Sequence, residues 1–386
     1  MKITADIENM GVEDREIDLF EGMYPVPNGV TYNSYLITDE KIAVLDSVDG
    51  HFTAQWLKNL SAALDGRQPD YLIINHMEPD HSASVLAFAE AYPSAQIVGN
   101  AKTFAMLAEY FGTAFEERRV VVKDGETLSL GKHTLTFVFT PLVHWPEVMM
   151  TYDDRDKTLF SADAFGTFGI PASPVAPADW ADEARRYYIG IVGKYGVQVQ
   201  GALKKLSAYT IERICPLHGS VLQENLEVYL ELYGKWSSYT AEKEGVMIGY
   251  TSVYGHTKAA AELLVQELKK RGTDVVVYDL ARTDRSLCVA EAFRYSKLVL
   301  ATTTYNGDIF PAMREFIDCL IERNYQNRTV GLMENGSWAP LTAKLMTAKF
   351  EKSKNITFAE TSVKIRSALS ADSRAQVVSL AEQLSK

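Results

Sequence analysis

Hydrophobic and polar positions follow different rhythms in the two halves of the chain. In the first half, "TYNSYLIT" (31–38) and "KIAVLDSV" (41–48) predict strands in meander order, separated by the polar turn "DE". Helical and strand periods then alternate: "FTAQWLKNLSAAL", "YLIIN", "SASVLAFAEAY", "AQIVG", "AKTFAMLAEYF" and "HTLTFVFT". Hairpins mixed with βα units predict sheets covered by helices, a mixture of α/β and α+β. The Pro- and Ala-rich passage "IPASPVAPADWADEA" (170–184) predicts an irregular surface segment, and "NLEVYLELYGKWSSYTAEKE" (225–244) an amphipathic helix leading out of this half.

The second half is simpler. Strand patterns at "GVMIGY", "DVVVYDL", "KLVLATTT", "RTVGLMEN" and "ITFAETSV" alternate strictly with helical patterns from "TKAAAELLVQELKKRG" to "SRAQVVSLAEQLSK". Five such pairs predict a doubly wound, five-strand parallel sheet. Charge changes at the same junction. Up to Gly245 there are 20 Lys and Arg against 35 Asp and Glu, a net of −15; beyond it 19 face 15, a net of +4. Two domains, 1–245 and 246–386, are therefore expected.

The formal charge of −11 argues against a nucleic-acid partner, which selects basic surfaces. An acidic, non-apolar N-terminal stretch and the lack of any run of about 18 apolar residues predict neither a secretion signal nor a membrane span, and place the protein in the cytoplasm. Three widely spaced cysteines without a C-x-x-C pair exclude a disulfide framework or a Cys-rich metal site, so any iron–sulfur centre must sit on another protein.

The chemistry concentrates in "NHMEPDHSAS" (75–84), where His76, Glu78, Asp80 and His81 fall in a loop after a buried strand. A lone His or Asp is most simply an exposed polar residue, and four in six positions are not. His144 in "FVFTPLVHWPE", Asp163 in "TLFSADAFG" and His218 in "ERICPLHGS" each follow another apolar run. Histidine with carboxylate is a ligand set for first-row transition metals. Seven such residues exceed one tetrahedral site and suit two ions sharing a carboxylate. His51 and His133 lie beside turns and are read as surface residues.

In the second half, "YTSVYGHTKAA" is a hydroxyl-rich turn opening a helix, which makes an anion site of backbone N–H groups and the hydroxyls of Thr251, Ser252 and Thr257. Neither G-x-x-x-x-G-K-[ST] nor G-x-G-x-x-G occurs, so ATP and dinucleotides are not indicated. The loops "TTTYNGD" (302–308) and "ENGSWAP" (334–340) offer Tyr305 and Trp338 for stacking on a flat ring system.

The pattern H-x-E-x-D-H, followed at long range by H, D and H, resembles the metallo-β-lactamase fold, an αββα sandwich, in the variant carried by flavodiiron proteins, also called A-type flavoproteins. Hydrolases of that fold carry a second His where this chain has Glu78, a harder anionic ligand that suits iron better than zinc. The resemblance implies one iron held by His76, Glu78 and His144, a second by Asp80, His81 and His218, and Asp163 as their bridge. Residues 246–386 resemble flavodoxin, which implies FMN. Thr251, Ser252, Tyr254, Gly255, His256 and Thr257 would hold its phosphate; Thr304, Tyr305, Asn306, Gly307, Ser337 and Trp338 would surround its isoalloxazine.

The family's reactions follow as expectations: O2 reduced to water, NO reduced to N2O, or both, with FMN re-reducing the irons. Rubredoxin is the expected electron donor and reduced deazaflavin coenzyme the alternative. A head-to-tail homodimer, or a dimer of dimers, would bring one chain's flavin to the other's irons. Tyr195 in "GKYGVQVQG" resembles a tyrosine lining the diiron pocket in some relatives. Two rival readings stay open: a zinc metallo-hydrolase with an appended flavodoxin, and an electron carrier whose first domain holds no metal.

Overall fold

Period-two patterning decides the architecture of the first part of the chain. In the computed structural model, which describes residues 1–172 and 180–386, six strands form a sheet in the order Ile7–Asn9, Tyr35–Thr38, Ile42–Leu45, Tyr71–Ile73, Gln96–Gly99, Arg119–Val121. Five others form a second sheet, Thr127–Ser129, Thr134–Phe139, Met149–Asp153, Thr158–Phe160, Arg213–Cys215. Alternate residues of the first sheet face opposite ways. Tyr35, Ile37, Ala43, Leu45, Tyr71, Ile73 and Val98 meet Leu135, Phe137, Met149 and Phe160 of the second sheet. Leu36, Ile42, Val44, Leu72 and Ile97 instead pack on Trp56, Leu60, Phe88, Phe104 and Leu107 of the helices Thr53–Leu64, Val85–Ala91 and Ala101–Phe111. Over the second sheet lies the helix Gly196–Leu206, its Lys205 Nζ donating to Phe139 O at 2.8 Å. Helix, sheet, sheet and helix make the expected αββα sandwich.

The run "TYNSYLIT" is not one strand. Val30–Tyr32 pairs with Val12–Asp14, while Tyr35–Thr38 joins the large sheet. The break is held by Asn33, whose N–H donates to Leu217 O (2.8 Å) and whose Nδ2 donates to Pro216 O (2.8 Å) and Gly219 O (2.9 Å). Much of "IPASPVAPADWADEA" lies outside the described residues. Its last part, from Trp180, opens the helix Trp180–Tyr187 with the Trp180 ring buried and Asp182 exposed, so that portion is helical and not irregular. His133 is another correction. Its imidazole is fully buried, with Nδ1 at 3.0 Å from Asp153 Oδ2 and Nε2 at 3.4 Å from Asp6 Oδ2. His51 is exposed, as read from the sequence.

The chain divides into two units, Met1–Gly234 and Lys235–Lys386. In the second, parallel strands run Val275–Asp279, Lys243–Tyr250, Tyr295–Tyr305, Arg328–Asn335, Ile356–Phe358, with Val363–Ile365 extending the last position. The fifth strand pattern, "ITFAETSV", is thus split. In chain order the sheet reads second, first, third, fourth, fifth, so the direction of winding reverses beside the first strand. The helices His256–Lys270 and Ala371–Leu384 press Ala260, Leu264, Leu268, Val377, Leu380 and Leu384 onto Val246, Ile248 and Val299. Residues ahead of the first strand belong to this unit. Arg328, buried, donates to Tyr239 O at 2.7 Å, and Glu242 N to Arg294 O at 3.0 Å. Among the described residues no helix is long and apolar enough to cross a membrane.

Candidate functional site

Four strands of the sandwich deliver seven chemistry-bearing side chains from the loops at their carboxyl ends. Beyond Tyr71–Ile73 the backbone is fixed by buried Asp46, whose Oδ1 accepts from Asn75 N (2.7 Å) and His76 N (3.1 Å) and whose Oδ2 accepts from Asn75 Nδ2 (2.8 Å). Pro79 then opens the single turn Pro79–Ser82, which carries Asp80 and His81. His144, Asp163 and His218 follow the strands Thr134–Phe139, Thr158–Phe160 and Arg213–Cys215. Behind His218, Gly219 has φ +81°, and a Cβ there would stand 2.1 Å from Thr167 Oγ1, so this turn requires glycine.

The seven converge as two groups, His76, Glu78, His144 and Asp163, and Asp80, His81 and His218; within each, donor atoms lie within 4.8 Å of one another. Asp163 faces both. Its Oδ2 is 3.0 Å from His144 Nε2 and 3.6 Å from His76 Nε2, while its Oδ1 is 3.3 Å from His81 Nε2 and 3.8 Å from His218 Nε2. Glu78 Oε2 lies 3.2 Å from His76 Nε2 and 3.0 Å from His144 Nε2; Asp80 Oδ2 lies 3.3 Å from both His81 Nε2 and His218 Nε2.

Remote atoms orient the rings. His76 Nδ1 donates to Glu147 Oε1 (2.8 Å) and His218 Nδ1 to Thr31 O (2.7 Å), which leaves both Nε2 lone pairs facing the cluster. His81 Nε2 and His218 Nε2 sit 3.0 Å apart. Both Asp80 oxygens and Asp163 Oδ1 are buried without a hydrogen-bond partner among the described residues. Clustered imidazole lone pairs and orphaned buried carboxylate oxygens are stable only around cations, so the donor set fits two transition-metal ions.

Charge coupling is correspondingly strong. Burial would lower the His144 imidazole, but hydrogen bonds to Asp163 and Glu78 prevail and lift it to about 9. Burial likewise opposes, and the carboxylates overcome, the rise of His76 well above its usual value. Asp163 is held well below the carboxylate range by the histidines, chiefly His76, against burial.

Three neighbours carried no local signal in the sequence. Glu147 accepts from His76 Nδ1 and from Met77 N (2.8 Å) through one oxygen. Tyr187 places its ring 5.5 Å from His218, and its buried hydroxyl has no hydrogen-bond partner among the described residues. Glu21, exposed in the turn between Leu19–Phe20 and Tyr24–Pro25, is pushed up to about 7 by partial desolvation of its carboxyl and by the Glu78 charge. Tyr195 lies half-buried in the short turn Gly193–Tyr195 and makes no hydrogen bond or ring contact with any of the seven.

In the second unit a cavity of about 660 Å³ opens at the carboxyl ends of the first, third and fourth strands. Of the residues singled out from the sequence, Ser252, Tyr254, His256, Thr257, Thr304, Tyr305, Asn306, Gly307, Ser337 and Trp338 line it. Gly255, at φ +90°, turns the chain into the helix, and Ser252 Oγ accepts its N–H at 3.1 Å. Thr251 is different: its hydroxyl is buried against Thr302 Oγ1 at 2.6 Å. Asn335 and Ser367 were not foreseen; Asn335 Nδ2 donates to Thr257 Oγ1 (3.2 Å), and its Oδ1 accepts from Ser367 N (3.1 Å). Trp338 is 92% and Tyr254 89% exposed at the rim, so large apolar faces stand free to meet a planar ligand. The cavity size, the helix N-terminus and the aromatic rim fit FMN.

Residues 30–219 match the family model described as ODP family beta lactamase, and residues 248–351 match flavodoxin. An uncharacterized protein of Methanocaldococcus jannaschii is 31% identical, over 83% of this chain and 82% of its own. The anaerobic nitric oxide reductase flavorubredoxin of Salmonella arizonae is 28% identical, over 91% of this chain and 76% of its own. Among solved structures, rubredoxin oxygen:oxidoreductase from Desulfovibrio gigas superposes with a TM-score of 0.93 at 25% identity, covering 100% of this chain and 97% of that one. A histidine variant of the flavo-di-iron protein of Thermotoga maritima gives 0.88 at 26%, covering 98% and 96%.

Proposed function

The chain belongs to the flavodiiron protein family, and from that premise we infer that it is an oxidoreductase that reduces O2 to water, NO to N2O, or both. One observation carries the reading: a single carboxylate, Asp163, turns one oxygen to each of two His-and-carboxylate groups. In this reading His76, Glu78 and His144 would hold one iron, Asp80, His81 and His218 would hold the other, and Asp163 would be shared between them. The metal-binding residues fall within 1–245 and the FMN-binding residues within 246–386. Ser252, Tyr254, Gly255, His256 and Thr257 take the phosphate, and Thr304, Tyr305, Asn306, Gly307, Ser337 and Trp338 surround the ring system. Thr251 supports that loop from beneath, through Thr302.

When bound, the irons supply Lewis acidity and electrons for a diatomic substrate, and FMN supplies further electrons. The protein's own part is positional. Thr31 O and Glu147 fix the His218 and His76 rings in the tautomer that presents Nε2. Fully buried His76, His81 and His218 keep bulk water from the cluster. The Tyr187 hydroxyl, with no partner among the described residues, can donate a hydrogen bond to a bound substrate. Glu21, pushed up to about 7, can hold a proton close to Glu78.

The remaining proposals concern partners. Electrons come from an external carrier, rubredoxin by the chemistry named for the Desulfovibrio gigas protein, with reduced deazaflavin as the alternative. A head-to-tail homodimer accords with net charges of −15 and +4 on the two parts, and a cytoplasmic site with the unpaired cysteines. The test is consumption of O2 and of NO by anaerobically purified protein supplied with chemically reduced rubredoxin. Catalytic consumption of either gas is expected; none of either, from protein carrying both cofactors, contradicts the proposal.

A further inference from the structure

The two metal pockets match in their direct donors, with two histidines, one carboxylate of their own and a share of Asp163 each. They differ one bond further out. Of the three fully buried rings, His76 donates from Nδ1 to a carboxylate, Glu147 (2.8 Å), and His218 donates to a neutral carbonyl, Thr31 O (2.7 Å). The third, His81, has its Nδ1 buried without a partner among the described residues. The nearby buried carboxylate of Asp46 does not supply the missing partner, because its oxygens accept from the Asn75 and His76 backbone and the Asn75 amide.

Glu147 is itself fully buried, and its Oε2 has no partner among the described residues. Its charge is therefore directed through Oε1 at His76 and Met77 N. A carboxylate accepting from Nδ1–H draws the imidazole toward imidazolate and makes Nε2 a stronger donor, an effect amplified where water is excluded. Stronger, more negative donation favours ferric over ferrous iron.

Resting on the diiron reading above, we propose that Glu147 is a positioning residue that makes the two irons unequal. The His76, Glu78 and His144 pocket holds its metal more tightly and keeps ferric iron longer. Each reduction would take one electron from the reduced FMN, which is oxidised by one electron as Fe(III) becomes Fe(II), with no covalent bond made or broken. The first electron settles on the iron of Asp80, His81 and His218, the second on the iron oriented through Glu147.

Glu147→Gln keeps an oxygen able to accept from both His76 Nδ1 and Met77 N and removes only the charge. The experiment is a stepwise anaerobic reductive titration of the FMN-containing protein, followed by paramagnetic resonance and Mössbauer spectroscopy, for wild type, Glu147→Gln and Glu147→Asp. In Glu147→Gln the lower of the two iron potentials should rise by about 59 mV for each tenfold loss of ferric preference, with the upper one moving less. A chelator should remove one iron roughly 10- to 100-fold more readily and leave the second. Glu147→Asp, which retains the charge over a longer reach, should move the same way by less; it carries the test if the Gln variant does not fold. Two irons bound with both potentials unmoved, or moved together, would overturn the inference and leave the diiron reading standing. Fewer than two irons in the wild type would overturn both.

Discussion

Replacing the shared carboxylate, Asp163→Asn, isolates the feature on which the functional reading rests. In the native protein Oδ2 reaches His144 at 3.0 Å and Oδ1 reaches His81 at 3.3 Å, all within the buried cluster. Asparagine keeps one acceptor oxygen and turns an amide NH2 toward the other group, where only a negative acceptor is useful. Breaking one side of a buried charge pair costs about 3–5 kcal/mol, which at about 1.4 kcal/mol per decade is roughly two to four orders of magnitude in affinity. Because the oxygen can serve just one pocket, the loss should fall on one metal, not evenly on both. Iron per chain after equilibrium dialysis against graded chelator, with FMN content as an internal control, reads this directly. One iron retained, FMN unchanged and gas consumption abolished is the expected result. Two irons retained with affinities within tenfold of wild type would refute the bridging role of Asp163.

Three further outcomes follow from the same geometry. Thr257→Ala should weaken FMN retention by roughly tenfold or more, the effect of losing a hydrogen bond to a charged group, without altering iron content; an unchanged FMN dissociation constant would count against the phosphate loop. Tyr187→Phe should lower turnover while the metal-free protein melts no earlier, because the deleted hydroxyl is buried and unpartnered; earlier melting with turnover intact would make it a packing residue only. Loading with ferrous iron should release protons at pH 7, because His144 rests near about 9 without metal and must be neutral to bind one. Affinity should therefore fall as pH drops from 9 to 6, and a flat profile would show that the ring is not a ligand.

The sheets and helices were legible because their periodicity reports directly which face is buried. In Tyr35–Thr38 and Ile42–Leu45 the apolar residues fall alternately into the two cores, the pattern a doubly covered strand requires. What failed were boundaries set by distant partners. Asn33 breaks "TYNSYLIT" because its amide is needed by the loop around His218, more than 180 positions away, as the hydrogen bonds to Pro216 and Gly219 record. The seven clustered residues were visible because four crowd into one loop and the other three each follow an apolar run of their own.

The residues around them were not visible, for the same physical reason. Glu147 is one acid in "HWPE", and its role exists only through His76, 71 positions earlier. His133 looks like a turn residue until Asp153 and Asp6 close around it. The sequence pointed to Tyr195, whereas the tyrosine rings set beside His218 include Tyr187 and Tyr32, placed there by the packing of the helix Trp180–Tyr187 and of the strand Val30–Tyr32 and not by any local pattern. Thr251 lies in the expected loop, but strand pairing aims its hydroxyl inward at Thr302.

In the flavodiiron reading one chain carries two irons in the histidine–carboxylate cluster and one FMN in the cavity of the second unit. Metal and flavin content per chain, measured on anaerobically purified protein, tests it most directly. Two irons and one FMN are predicted. Zinc in the cluster, or FMN with no transition metal at all, would contradict the account and return the first unit to the hydrolase or carrier readings.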